Sequence, residues 1–201
     1  MIAIIDYGAG NLRSVEKALE FLGFRAKITS EPNEILSANK VILPGVGAFG
    51  DCMRSINTAH LNECIHKVIR GGTPFLGICL GLQLLFDMSE ESPGAEGLKV
   101  FRGKNIKIPY TEGLKIPHMG WNSLKYDKNC PIFKGLGDEP YVYFVHSYYM
   151  QPEDKSIISA VCDYGAELPV ALWRDNVFAT QFHPEKSGDT GLKILKNFAE
   201  L

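Results

Sequence analysis

No apolar run in this chain of 201 residues approaches the ~20 residues that a membrane span requires. The opening "MIAIIDYGAGN" also lacks the basic start and the long apolar stretch of a secretory signal. Both absences lead to the expectation of a cytoplasmic protein with no membrane partner. Excess charge of one sign is missing too, since 21 Lys and Arg stand against 23 Asp and Glu. A net charge of −2 gives no electrostatic footprint for nucleic acid. The five cysteines, Cys52, Cys64, Cys79, Cys130 and Cys162, contain no C-x-x-C pair. Their odd number and irregular spacing argue against a disulfide framework or a structural zinc site. Free thiols in a reducing compartment are expected instead, most of them inert core fillers. No repeat, low-complexity tract or long linker interrupts the chain, so one domain over residues 1–201 is expected.

The residues that are present divide the chain into two halves of different character. In the first half short apolar runs alternate with helical patterns. "MIAIID", "FRAKIT", "KVILPGVG" and "TPFLGI" read as strands. Between them Leu12, Val15, Leu19 and Leu22 share one helical face, with Gly23 as a stop. Further helices are predicted around Phe49, Met53 and Ile56, around Leu61, Ile65, Val68 and Ile69, and along "LGLQLLFDM". From Leu98 onward "LKVF", "KNIKI", "NSLKY", "YVYFVHSYYM", "SIISAVCDY", "PVALWR" and "NVFATQF" read as strands with short links. "TGLKILKNFAEL" closes the chain as a helix. The fold class is therefore α/β: a mostly parallel central sheet flanked by helices, with additional antiparallel strands in the second half.

One stretch stands out. "FLGICLGLQLLF" sets Cys79 between Gly77 and Gly81 where a strand gives way to a helix. Parallel sheets bind ligands at the carboxyl ends of their strands, and a G-x-nucleophile-x-G turn displays a side chain there. The helix that follows would favour a thiolate through its dipole and leave the Leu80 N–H as an oxyanion donor. A structural cysteine on a glycine-rich turn fits the same letters, and the two readings weigh about evenly.

A thiol nucleophile needs a base. His60 and His66 sit in a helical stretch and read as surface or flank residues. His118 in "IPHMGWN" and His146 in "YFVHSYY" fit either a site or a hydrogen-bonded core. His183 differs, because it follows a strand and opens the turn "H-P-E". Pro184 fixes the local backbone and Glu185 returns to hold the imidazole, giving a nucleophile, base and orienter in Cys79, His183 and Glu185. The competing reading of "HPE" is a turn with a capping glutamate. "GAGNLR" is a poor dinucleotide fingerprint, since Arg13 stands where a third glycine is needed.

Taken together these motifs resemble the class I, triad-type glutamine amidotransferases. "GICLGLQ" resembles that family's nucleophile motif and "FHPEKS" its His-x-Glu motif, in the family's order. "DYGAGNLRSV", "LPGVGAFGD", "PHMGWN", "YFVHSYY" and "QFHPEKSG" are most similar to the glutaminase subunits of imidazole glycerol phosphate synthase, over nearly the whole chain. Leu82, often methionine in that group, is a volume-conserving departure.

The resemblance implies hydrolysis of L-glutamine to glutamate and ammonia, with ammonia passed to a (β/α)8 cyclase subunit in a heterodimer that serves histidine biosynthesis. No metal or organic cofactor is implied. It makes the Pro44–Gly47 stretch the oxyanion strand, so Gly45, Val46 and Gly47 join Leu80, the glycines permitting unusual dihedrals or a peptide flip. Gln83 would bind the substrate's α-amino or α-carboxylate group, with the backbone of Ser147 and Tyr148 as the other wall and His146 and Tyr143 as supports. Gly8–Asn11, Met119–Asn122 and Lys186 are candidates for the docking face, with Asn11, Trp121 and Lys186 as its named contacts. A core role for Trp121 remains open. So do a glutaminase serving another synthase, a silent regulatory module and a general esterase or peptidase.

Overall fold

Ile2, Ala3, Ile4 and Ile5 are all buried, which places their strand inside a sheet covered on both faces. The computed structural model describes residues 1–201. In chain order its first half runs β1 (Ile2–Ile5), α1 (Leu12–Phe21), β2 (Ala26–Thr29), α2 (Pro32–Leu36), β3 (Lys40–Gly45), α3 (Phe49–Thr58), α4 (Asn62–Arg70), β4 (Phe75–Cys79) and α5 (Leu80–Gln83). The second half runs β5 (Met88–Ser89), β6 (Gly103–Lys107), β7 (His118–Ser123), β8 (Lys125–Tyr126), β9 (Tyr141–His146), β10 (Tyr148–Pro152), β11 (Ile158–Asp163), β12 (Glu167–Arg174), β13 (Val177–Thr180) and α6 (Gly188–Glu200).

An eight-stranded sheet carries the order β2-β1-β3-β4-β13-β12-β11-β8. Its first five strands are parallel, and the pairs β13–β12, β12–β11 and β11–β8 are antiparallel. This is the mixed α/β architecture that the alternation of runs predicts. Period two sorts the side chains: Ala3, Ile5, Val41 and Leu43 join a core with Ile56 and Ile65 of α3 and α4, while Ile2, Ile4 and Ile42 join one with Leu19 of α1 and Leu195 of α6. The helices thus cover both faces. Gly23 ends α1 as expected, at φ 83°, with Phe24 N–H donating to the Leu19 carbonyl at 2.9 Å. No helix is long and apolar enough to cross a membrane.

Four expectations need correction. The helix read along "LGLQLLFDM" ends at Gln83. Residues 80–86 are buried throughout, and the carbonyls of Leu84, Leu85 and Phe86 accept from N–H groups of residues 98–101 rather than from a following helical turn. For the same reason "LKVF" forms no strand. "YVYFVHSYYM" is two strands, broken at Ser147: β9 pairs with β7, and β10 with β6. His60 lies in the turn between α3 and α4 at φ 55°, not within a helix.

Candidate active site

Strand β4 ends on Cys79, whose backbone turns to φ 56°, ψ −111° before α5 begins. A non-glycine residue in that region is strained, and such strain concentrates where a side chain must be displayed. The flanking glycines serve close packing. A Cβ on Gly77 would sit 2.7 Å from the Gly81 carbonyl oxygen, and one on Gly81 would overlap the Leu43 carbonyl. The corner therefore brings α5 down onto β3 and β4. With only one turn, α5 supplies little macrodipole, contrary to expectation, and what it offers is local. Leu80, its first residue, has no acceptor for its N–H within the helix.

Gly45 pairs with Cys79 in the β3–β4 register, so the "PGVG" stretch ends beside the nucleophile corner. Its two glycines differ in purpose. Gly47 holds φ 105°, a conformation suited to glycine. Gly45 is needed for space, since a Cβ there would meet Gly81 N, Leu80 Cβ and the Tyr7 hydroxyl, each at 2.8 Å. The stretch is braced by Tyr7, which donates to the Pro44 carbonyl at 2.9 Å, and by the Cys52 thiol, which donates to the Val46 carbonyl at 3.5 Å. Glu91 and Ser92 accept from the N–H groups of Phe49 and Gly50 at 2.8 and 3.0 Å, fixing the start of α3.

A cleft of about 420 Å³ opens at this rim, lined by Val46, Gly47, Cys79, Leu80, Gln83, Ser147, Tyr148 and His183, with Glu91, Pro117, Val145 and His146. Residues up to 137 positions apart in sequence are gathered there, from Val46 to His183. Glu185 stands behind the cleft: its Oε1 lies 2.8 Å from His183 Nδ1, with the glutamate side chain only 1% exposed. His183 Nε2 has no hydrogen-bond partner and is left for the cleft. Burial alone would lower the His183 pKa, but Cys79 and then Glu185 outweigh it and raise it to about 10. The imidazole thus favours its protonated form at neutral pH.

His118 and His146 are accounted for by hydrogen bonding. His146 Nδ1 faces the Tyr148 carbonyl at 3.0 Å, so it carries the proton and its Nε2 accepts. His118 Nδ1 therefore donates to His146 Nε2 at 3.0 Å, and its own Nε2 accepts from Asn122 at 3.4 Å. Burial holds His118 down at about 4 and His146 at about 3, which makes both neutral supports at pH 7. Tyr143 supports from the backbone, accepting from His183 N–H at 3.0 Å. Burial pushes the Cys130 and Cys162 thiols up to about 12 and raises Cys52 and Cys64, as inert core cysteines require.

Gln83 departs from expectation in one respect. Its Nε2 donates to the Tyr148 carbonyl at 3.0 Å and to Gln181 Oε1 at 2.9 Å. Both amide hydrogens are committed, so only its oxygen is left for a ligand, and that suits an α-ammonium group rather than a carboxylate. Trp121 is 55% exposed, which removes the core reading. Its ring borders Gly188, and the 3-10 turn Pro184–Lys186 packs against α1 and β9. Trp121 thus lies beside the segment that carries Lys186, and that segment packs on α1, the helix that Asn11 precedes. Tyr7, Glu91 and Gln181 were not singled out from sequence. Tyr7 and Gln181 lie inside the stretches "DYGAGNLRSV" and "QFHPEKSG", but their spacing there assigns neither a role.

Residues 3–201 match the model of the class-I glutamine amidotransferases. The chain belongs to this family. It is 56% identical to the imidazole glycerol phosphate synthase subunit HisH of Caldanaerobacter subterraneus subsp. tengcongensis, over all of this chain and 98% of that one. To the subunit of the same name from Methanocaldococcus jannaschii it is 52% identical over the full length of both. Among solved structures, a glutamine amidotransferase superposes with a TM-score of 0.77 at 20% identity, covering 100% of both chains. PurLQS from Thermotoga maritima gives 0.76 at 19%, covering 99% of this chain and 97% of that one. At such identity these two speak for the fold alone.

Proposed function

We propose that this chain, acting as one domain, is the glutaminase subunit of an imidazole glycerol phosphate synthase and supplies ammonia for histidine biosynthesis. The cleft lined by both Cys79 and His183, with Glu185 behind the imidazole, is the observation that carries the reading. Cys79 attacks the side-chain amide carbon of L-glutamine as a thiolate paired with the His183 cation. Charge builds on the amide oxygen, which Leu80 N–H and the Val46 peptide between Gly45 and Gly47 receive. Each such donor is worth about 3–4 kcal/mol in the transition state. His183 protonates the departing ammonia, then takes a proton from the water that opens the thioester. Glu185 keeps the proton on Nδ1 and steadies the cation. Gln83 Oε1 accepts from the substrate's ammonium, opposite the wall formed by Ser147 and Tyr148.

Ammonia released to solvent at neutral pH becomes ammonium and is no nucleophile. A tight partner that shields its transfer is the physical requirement, and we assign that role to a (β/α)8 cyclase docked as a heterodimer on the side bearing Asn11, Trp121 and Lys186. No metal or organic cofactor enters any step. The test is Cys79→Ala assayed with the cyclase. Glutamine-dependent synthesis should vanish while added ammonium salt still supports it. Retained glutamine-dependent turnover would remove Cys79 from the mechanism.

A further inference from the structure

Gln181 lies immediately past β13, fully buried, and donates from Nε2 to Cys79 Sγ at 3.7 Å. Its backbone is held by N–H donation to the Val170 carbonyl at 2.8 Å. The direction of its amide follows from its neighbours. Gln83 must turn its nitrogen to the Tyr148 carbonyl, and the same nitrogen faces Gln181 at 2.9 Å. Gln181 can meet it only with oxygen, which leaves its NH2 group aimed at the sulfur. The network therefore presents Cys79 with a donor and no acceptor from this side. A donor stabilises a thiolate more than a thiol, because hydrogen bonds to ionised groups are the stronger kind.

Resting on the glutaminase reading above, we infer that Gln181 is a positioning residue that holds the Cys79 sulfur as an aimed thiolate and ties it to the substrate wall through Gln83 and Tyr148. It touches the nucleophile and not the substrate. One buried amide thereby couples the attacking atom to the residue proposed to grip the α-ammonium group, so that displacement of either is felt by the other.

Two substitutions separate the two ends of this link. Gln181→Met keeps the length and removes both the donor to sulfur and the acceptor for Gln83. Gln181→Glu keeps the acceptor but turns the sulfur-facing atom into an oxygen. A carboxyl is a stronger acid than a thiol, so the proton between them settles on sulfur. The remaining titratable groups around the sulfur are His183 from the turn after β13, Tyr7 from the end of β1, and Glu91 and His146 across the cleft; neither variant alters them.

The measurement is the rate of Cys79 alkylation by iodoacetamide against pH on the purified chain, followed by intact mass, with Cys79→Ala as the blank. Folding of each variant is checked by thermal unfolding. Both variants should need a higher pH to reach half-maximal alkylation, by about one pH unit for Gln181→Met and more for Gln181→Glu. With the cyclase present, Gln181→Glu should lower glutamine-dependent kcat at least tenfold with KM held within about threefold. Gln181→Met should lower kcat and raise KM as well. Folded variants whose alkylation profiles superimpose on the parent's would overturn the inference and leave the role of Cys79 intact. Glutamine-dependent turnover by Cys79→Ala would instead overturn the underlying reading.

Discussion

The Ser187 hydroxyl donates to the His183 carbonyl at 2.7 Å and accepts from the Tyr143 N–H at 2.9 Å. His183 N–H in turn donates to the Tyr143 carbonyl at 3.0 Å. Two contacts thus clamp the imidazole-bearing turn to β9 and a third closes the turn on itself, and the serine of "HPEKS" belongs to the clamp.

Ser187→Ala should therefore cost more than a surface hydroxyl would. It strands the Tyr143 N–H beside a serine that is itself only 2% exposed, a loss of about 2 kcal/mol, while the His183 carbonyl keeps the Lys186 N–H at 3.0 Å. For a chain of this size that lowers Tm by about 4–8 °C. Calorimetry reads the shift, and kcat should fall with it as His183 gains freedom. An unchanged Tm would show that water replaces the hydroxyl.

Gly81→Ala tests the corner itself. The added Cβ would overlap the Leu43 carbonyl, a backbone atom of β3 that cannot rotate away. We expect a loss of about 3 kcal/mol or more, at the upper end of overpacking costs, together with loss of glutamine turnover. Gly8→Ala is the contrast for stability, since a Cβ there meets nothing within 4 Å and the penalty is conformational only, at φ 88°. Urea midpoints of the two variants should differ clearly. Equal midpoints would mean that α5 can lift off the sheet at little cost.

Legibility in the sequence followed how much of a signal was local. Val15, Ala18 and Leu19 repeat on one face of α1, and Gly23 stops it, so that helix was readable. The run after Cys79 was not, because Leu84, Leu85 and Phe86 give their carbonyls to a segment more than ten residues onward. Ser147 hides a change of sheet inside what looks like one long strand. The residue types of the proposed triad could be read from Cys79 and the "HPE" turn. The commitment of both Gln83 amide hydrogens could not, since it depends on Gln181, 98 positions away.

Stability should fall on both sides of neutrality, for different histidines. Burial depresses His118 to about 4 and His146 to about 3, below the unfolded value near 6.5. The unfolded chain then binds more protons from about pH 6.5 down to those values, so stability drops as pH falls through that window. His183 has the opposite sign. Raised to about 10, it binds its proton more tightly in the folded state, and its contribution is full below about 6.5 and lost as pH rises toward 10. Urea unfolding at a series of pH values measures both limbs. In Cys79→Ala the leading cause of the upward shift is gone, so the alkaline loss should shrink while the acid limb stays. An unaltered alkaline limb in that variant would mean that the sulfur does not sustain the His183 cation.

Glu185→Gln separates charge from shape behind the imidazole. The amide fills the same volume and can still face Nδ1, where Glu185 Oε1 now lies at 2.8 Å, but it brings no negative charge to the His183 cation. Proton transfer by a well-placed histidine is worth about 10²–10⁴ in rate, and most of that should be forfeited from kcat. Glu185 does not line the cleft, so KM for glutamine should stay within about threefold. Its second oxygen, Oε2, is buried without a partner, so exchanging the carboxylate for an amide removes a buried charge but leaves an amide NH2 equally unpaired there. The variant should lose rate far more than stability, which falls only by the share of the His183 shift that Glu185 supplies. A variant that loses both in proportion would make Glu185 a structural prop for the turn rather than the group that sustains the imidazolium.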